Sequence, residues 1–190
     1  MASNSMPAAR PGYTRTAVAL HWLIALLIIC GFALGWVITD IPGFSPTKLK
    51  YFSWHKWMGV TVFALAIVRV LWRATHVPPR LPAEIPTVQR IGAHAVHAML
   101  YVLMLAIPVT GYLYSSASNI PVVYLGLVSL PRLIDPDPVL KEIFKTLHVT
   151  LNYVLFSLVL LHVLAVFKHQ VLDRDGLLAR MLPFAKRRTQ

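Results

Sequence analysis

Residues 146–167 read TLHVTLNYVLFSLVLLHVLAVF, a run of 22 residues without Asp, Glu, Lys or Arg. A helix of about 20 apolar residues spans the hydrocarbon core of a bilayer, so this run predicts a membrane-spanning helix. It carries two histidines, His148 and His162, 14 residues apart. Fourteen residues rise about 21 Å and turn about 40° short of four full turns, so both imidazoles lie on one side of the helix.

The composition of the whole chain also indicates an integral membrane protein. Hydrophobic residues make up 57% of the 190 residues and charged residues 13%, with a mean hydropathy of +0.63. In soluble domains, hydrophobic residues average about 45–50% and charged residues about 25%. A soluble globule of this size could not bury so much apolar surface. Disorder and a collagen-like fibre are excluded. The single cysteine, Cys30, excludes a disulfide-stapled secreted domain.

Three further segments are long and apolar enough to be helices that cross a membrane. Together with the first they predict an all-α integral membrane protein, a four-helix transmembrane bundle in one domain over residues 1–190. Proline-rich linkers separate the helices, and Pro108 and Gly111 predict a kink or local widening in the third. The predicted helices cover about residues 16–39, 53–75, 91–114 and 143–171.

The distribution of Lys and Arg predicts the orientation of the bundle. Four helices place both termini on one side, which then holds 12 of the 18 basic residues, against 6 on the other side. Cytoplasmic loops carry the excess of Lys and Arg, so both termini are expected in the cytoplasm. The net charge of +11 is therefore a topology signal, and no nucleic-acid partner is expected.

Two histidines lie at equal depth near the predicted inner surface. His21 follows the boundary residue Arg15 by six residues, and His162 precedes the boundary residue Lys168 by six. Each therefore lies about 9 Å inside the same face. These two imidazoles can face each other across the bundle.

A second pair of histidines lies near the predicted outer surface. His55 is adjacent to Lys56 at the outer start of the second helix. His148 follows Lys145 by three residues at the outer start of the fourth. The fourth helix thus presents one imidazole to each of two stacked sites, and the first two helices supply the opposite ones.

Paired neutral imidazoles in an apolar bundle are typical ligands of haem iron. Zinc takes four ligands, and no Cys, Asp or Glu accompanies these pairs, whereas a haem supplies four nitrogens itself. No Cys-x-x-Cys-His motif is present, so the sequence predicts two noncovalent haem b groups. Interhelical hydrogen bonding is the alternative for any one histidine, and it is the weaker one for two depth-matched pairs. Small residues leave space for the rings: Gly31, Gly35, Gly59, Ala64, Ala66 and Ala165.

Iron with two histidine ligands has no open position, which suits outer-sphere electron transfer, so no catalytic side chain is predicted. Arg69 is the first candidate to bind the haem propionates on the inner side, because a guanidinium binds carboxylates in a bidentate manner. Arg15 and Arg73 are second candidates, with snorkelling to lipid phosphate as their alternative role.

Three further histidines have open roles. His94 and His97 are candidate hydrogen-bond donors to propionates. A structural role at a helix interface is favoured over that role for both. His169 lies seven residues after His162 on the same face and is a candidate to bind a quinone carbonyl or a propionate. An interfacial histidine without a ligand is the equal alternative for His169.

Across about residues 12–185 the sequence resembles the bacterial cytochrome b561 family of small four-helix dihaem proteins. The matching features are His21-Trp22, Trp54-His55-Lys56, Val68-Arg69, Ala93-His94-Ala95-Val96-His97, Leu147-His148 with His162, and His169. The resemblance implies haem ligation by His21 with His162 and by His55 with His148. It also implies a multi-pass protein of the bacterial inner membrane with ubiquinone as electron acceptor. The loop of residues 115–141 matches no motif of the family.

The resemblance leaves two functions open. One branch of the family oxidises superoxide and passes the electron to ubiquinone, and the predicted outer side has 6 basic against 4 acidic residues to attract an anion. Other branches are relay subunits that link a dehydrogenase or hydrogenase to quinone, which would require a redox partner protein. A small transporter is the least favoured reading, because only the third helix is interrupted.

Overall fold

The structure is a computed structural model that describes residues 12–79, 81–82 and 85–182. It confirms the four-helix transmembrane bundle. The most apolar 18-residue stretches of the four helices have mean hydropathies of 2.5, 1.5, 1.7 and 2.2. A two-stranded hairpin lies between the last two helices, and a π-helical turn and a short 3-10 helix follow the last. In order, the elements are α1 (Arg15–Asp40), α2 (Pro46–Thr75), α3 (Thr87–Ala117), β1 (Val123–Tyr124), β2 (Val128–Ser129), α4 (Pro138–Lys168), α5 (His169–Asp173) and α6 (Leu178–Arg180).

All four helices start earlier than predicted, and the shift is largest for α2 and α4, whose first turns contain prolines that were read as helix breaks. α2 begins at Pro46, seven residues before the predicted start. Proline lacks the N–H that a first-turn residue would leave unpaired, so it favours this position. Ser45 caps the helix, since its side chain accepts a hydrogen bond of 3.2 Å from the backbone N–H of Lys48.

The start of α4 follows the same rule. It begins at Pro138, five residues before the predicted start. The Asp137 carboxylate accepts hydrogen bonds of 2.7 and 2.8 Å from the backbone N–H groups of Val139 and Leu140. The backbone N–H of Asp137 also donates to the carbonyl of Ala117 at the end of α3, which joins the two helices.

The closest helix packing is between neighbours in the chain, α1 on α2, α2 on α3, and α3 on α4, and side chains of α1 and α4 also meet. The interior consists of two small apolar clusters, one across α1, α2 and α3 and one across α3 and α4. Many of the large apolar side chains are instead exposed, as lipid-facing residues are. The buried members of the clusters are Ile24, Val62, Ala66 and Met104 in the first, and Leu103, Ile107 and Leu155 in the second.

The hairpin in the loop after α3 was not predicted from the sequence. Tyr124 pairs with Val128 across three residues, and the N–H of Leu127 donates to the carbonyl of Tyr124, which closes a turn around Leu125 and Gly126. The two turn residues, Leu125 and Gly126, have φ values of 53° and 73°. Two left-handed residues in succession are typical of the type I′ turn, whose twist matches that of paired strands.

Candidate functional site

His55 on α2 and His148 on α4 face each other at one end of the bundle. Their ring centroids are 6.2 Å apart and their planes lie at 83°. The Nδ1 atom of His55 is 3.1 Å from the carbonyl oxygen of Gly31, and that of His148 is 3.0 Å from the carbonyl oxygen of Ile107. A carbonyl oxygen only accepts, so Nδ1 donates in both rings and Nε2 is the nitrogen left to bind a ligand.

Glycines give these two imidazoles their space. A Cβ on Gly111 would lie 2.9 Å from Cε1 of His148, which real Cβ atoms do not tolerate, and a Cβ on Gly35 would lie 3.5 Å from Cε1 of His55. A largely apolar cavity opens beside the rings. Besides both histidines, its lining includes Leu27, Gly31, Phe32, Gly59, Val62, Met104, Asn152 and Leu155.

His21 on α1 and His162 on α4 face each other at the other end, with ring centroids 6.3 Å apart and an interplanar angle of 72°. A third imidazole, that of His97 on α3, lies 5.3 Å from the ring of His162. His94 is exposed. The structure thus brings His97, but not its neighbour, to this pair.

Arg69 ties three helices together beside the His21–His162 pair. Its Nη1 donates to the carbonyl of Ala17 on α1 at 2.7 Å, and its Nε donates to the hydroxyl of Tyr101 on α3 at 3.0 Å. Arg73 also lies near the Tyr101 ring, with its guanidinium carbon 5.9 Å from the centroid. The guanidinium of Arg69 therefore has a structural role in addition to any role in binding an anion.

His169 bonds within its own segment, immediately after α4. Its Nδ1 lies 2.6 Å from a carboxylate oxygen of Asp175 and 3.1 Å from one of Asp173. Lys168 bonds the same Asp173 oxygen at 2.6 Å. Any ligand that His169 binds would therefore meet its other ring nitrogen, Nε2.

The residues of both pairs fit a haem. A metal ion held by both imidazoles of a pair through bonds of about 2 Å would allow the two ring centres to lie up to about 6 Å apart. The observed separations of 6.2 and 6.3 Å are close to that distance. Metal-binding histidines usually donate their other ring nitrogen to a carbonyl or carboxylate, as His55 and His148 do here. Between the two pairs, Phe32 of α1 and Phe156 of α4 meet with centroids 5.8 Å apart.

Several contributors to these sites carry no signal in the sequence alone. The carbonyls of Gly31 and Ile107 are backbone atoms, and the sequence does not reveal which side chain bonds them. Gly111 was noted only as a source of a kink, whereas its missing Cβ makes room for His148. The hydroxyl of Thr110, 3.2 Å from Nδ1 of His148, was also missed, because the sequence does not show which residues of α3 face α4.

Comparison of the sequence with known proteins identifies one family and several relatives. Residues 12–184 match the family model described as prokaryotic cytochrome b561. The chain is 33% identical over 172 residues to cytochrome b561 homolog 2 of Escherichia coli K12, covering 90% of each chain. It is 27% identical over 176 residues to the probable superoxide oxidase CybB of Yersinia pestis, covering 90% of this chain and 96% of that one. It is 27% identical over 178 residues to cytochrome b561 homolog 1 of E. coli K12, covering 92% of this chain and 98% of that one.

A four-helix membrane bundle with two facing imidazole pairs and a family match over nearly its whole length leads to one assignment. The chain belongs to the prokaryotic cytochrome b561 family of multi-pass bacterial membrane proteins that transfer electrons and bind haem b.

Proposed function

We propose that the protein holds two haem b groups and transfers electrons from superoxide, on the outer side of the inner membrane, to ubiquinone. The ligands are His55 with His148 for one haem and His21 with His162 for the other. The observation that carries the proposal is the pair of matched imidazole separations, 6.2 and 6.3 Å, at the two ends of one bundle. When bound, such a haem supplies reversible one-electron transfer without an open coordination position.

At the His55–His148 site, the protein contributes orientation and exclusion of water. The bonds from Nδ1 to the carbonyls of Gly31 and Ile107 hold each ring and leave Nε2 free to bind a ligand. Such bonds also raise the basicity of a ligating imidazole, which favours the oxidised metal. The mostly apolar cavity lining excludes water and lowers the local dielectric.

At the His21–His162 site, Arg69 is proposed to neutralise carboxylate groups of the cofactor. A guanidinium has five N–H donors, and two of them are used by Ala17 and Tyr101. The remaining donors and the positive charge are available to a propionate. Arg73, one helical turn later on α2, is a second cation near the same Tyr101 ring. His169, through Nε2, remains a candidate contact for the quinone or a propionate.

We propose superoxide as the electron donor for two reasons: the basic residues on the side of the His55–His148 site and the name of one relative. Lys56 follows His55 directly, and five further basic residues belong to the same predicted side, which favours the approach of a small anion. The Yersinia pestis relative at 27% identity is named a probable superoxide oxidase. Two superoxide anions would lose one electron each to form two O₂, and ubiquinone would take both electrons with two protons to form ubiquinol.

A relay subunit for a partner dehydrogenase or hydrogenase is the second candidate. The relative at 33% identity carries a name that states no substrate, so membership of the family does not single out superoxide. In that case a redox partner protein would dock at the His55 end, and both haem sites would keep the same ligands. The two candidates differ only in the donor.

The donor is tested with purified protein in lipid nanodiscs and superoxide generated by xanthine oxidase. We expect faster reduction of a soluble ubiquinone analogue than in protein-free nanodiscs, and we expect superoxide dismutase to abolish the difference. No acceleration at several protein concentrations would favour the relay. The cofactor content is tested separately by a reduced-minus-oxidised spectrum and a haem-to-protein ratio. A ratio of two is expected, and a ratio of one or zero would overturn the proposal.

A further inference from the structure

The hairpin of residues 122–130 lies along α2 rather than projecting away from the bundle. The indole N–H of Trp57 donates to the carbonyl of Val123 at 2.6 Å. The hydroxyl of Thr61 donates to the carbonyl of Trp57 at 2.8 Å, so the Tyr124 hydroxyl, 3.0 Å away, is the donor to Thr61. The hairpin is therefore attached to two successive turns of one face of α2.

These contacts set the depth of the hairpin. Trp57 and Thr61 lie two and six residues after His55, which corresponds to about 3 and 9 Å farther along the helix toward the middle of the bundle. His55 itself lies within one of the four membrane spans. The hairpin is thus at a level where the neighbouring helix surface is already in the bilayer or its interface.

The free surface of the hairpin is apolar. No charged residue occurs from Ser115 to Pro131. Leu127 is 84% exposed, and Leu125 and Val128 are also exposed. Exposed apolar patches of this kind are unusual in contact with water.

The backbone of the hairpin suits an interfacial position. Within it, the N–H of Leu130 donates to the carbonyl of Val122 at 2.9 Å, and the turn is closed by a bond from Leu127 to Tyr124. At the flanks, Lys56 donates to the carbonyl of Pro121, and the Tyr112 hydroxyl donates to the carbonyl of Pro131. Backbone groups that are bonded internally or by side chains can approach lipid, whereas unpaired ones cannot.

We propose that this hairpin is a lipid-binding element that inserts Leu125, Leu127 and Val128 into the interfacial region of the nearer bilayer leaflet. Tyr and Trp side chains are enriched at that level, and Trp57 and Tyr124 are the residues that attach the hairpin to α2. The hairpin would then anchor the loop beside the His55–His148 site to the membrane. This inference depends on membership of a membrane-protein family and not on the identity of the electron donor.

The test measures the environment of an NBD fluorophore attached to single cysteines in nanodiscs. The exposed native thiol is removed by Cys30→Ser, and the reporters are Leu127→Cys and, independently, Val128→Cys. Val37→Cys, exposed on α1 two residues after Gly35, which lies against His55, is the lipid-facing control. Asp135→Cys, exposed in the following loop, is the water-facing control. Circular dichroism and monodisperse elution establish that each variant is folded.

We expect both reporters to be quenched by phospholipids with a spin label near the headgroup about as strongly as the label at position 37, and only weakly by iodide. The label at position 135 should show the opposite pattern. Strong iodide quenching of both reporters, as for position 135, would overturn the proposal and place the hairpin in water. Protection from both quenchers would also overturn it, because the patch would then be covered by protein, such as a second copy of the chain.

Discussion

At the scale of single residues, His162 has two imidazole neighbours, His21 at 6.3 Å and His97 at 5.3 Å between centroids. We expect His162→Ala to lose one of the two proposed haems and to retain the one at the His55–His148 site, because the proposed ligands of that site are intact in this variant. Haem per polypeptide, measured from the reduced-minus-oxidised spectrum, checks this.

His97→Ala is the matched control, since the proposed ligands of both haems remain, and it should keep two. A second variant combines His97→Ala with His162→Ala. Full haem content in both His162→Ala and this double variant would contradict the proposed pairing.

Gly111 offers a second test at this scale, because it lies against His148, a proposed haem ligand, without being a ligand itself. In Gly111→Ala the new Cβ would lie 2.9 Å from His148, so the imidazole must shift out of its position. We expect loss or weakened binding of the haem at the His55–His148 site, seen as a lower haem content and an altered spectrum.

Gly92→Ala, in the same helix, is the control for this substitution. A Cβ at Gly92 meets no atom within 4 Å. That change should leave the haem content unaltered and stabilise α3 by up to about 1 kcal/mol, since Ala favours a helix over Gly. Identical haem content in the two variants would show that His148 does not need the space at Gly111.

At the scale of the elements, Arg69 connects α1, α2 and α3 through Ala17 and Tyr101. Arg69→Leu removes two hydrogen bonds from a charged group, and we expect a loss of about 1–3 kcal/mol in stability. It should also lower the midpoint potential of the haem at the His21–His162 site, because a nearby positive charge favours the added electron. Redox titration and thermal unfolding measure the two effects.

Arg69→Lys separates the charge from the hydrogen bonds. Lysine keeps the charge but not the fork of donors, so the potential should stay closer to that of the unaltered protein while stability still falls. An unchanged potential in Arg69→Leu would exclude the proposed role of Arg69 beside the propionates.

The junction of α3 and α4 depends on the cap at Asp137. Asp137→Ala removes the acceptor of two backbone N–H groups, and we expect a loss of about 1 kcal/mol. Thermal unfolding followed by circular dichroism gives the difference. Asp137→Asn should lose less, because asparagine is also a good helix cap. Equal stability of Asp137→Ala and the unaltered protein would show that the cap contributes nothing here.

At the scale of the whole molecule, the interior of the bundle contains few fully buried side chains. Among the described residues, no large side chain is less than 2% exposed, and a cavity lies between the helices beside His55 and His148. A ligand that binds only the folded state stabilises it by about 4 kcal/mol when present at 1,000 times its dissociation constant. We therefore expect protein produced without haem to unfold at a clearly lower temperature than the coloured protein.

Adding haemin to the colourless protein checks the same expectation in the other direction. The unfolding temperature should rise until about two equivalents are bound and then stay constant. A stability that does not depend on haem would contradict a cofactor-filled core.

The sequence by itself determined the membrane bundle, its four spans and the matched depths of two histidine pairs. These follow from local hydropathy and from the fixed rise of a helix, which are properties of contiguous residues. Only the tertiary structure decided that His97 approaches His162, that the missing Cβ of Gly111 accommodates His148, and that the hairpin lies along α2. Those contacts join segments far apart in the chain, and their geometry depends on how the helices rotate and pack against one another.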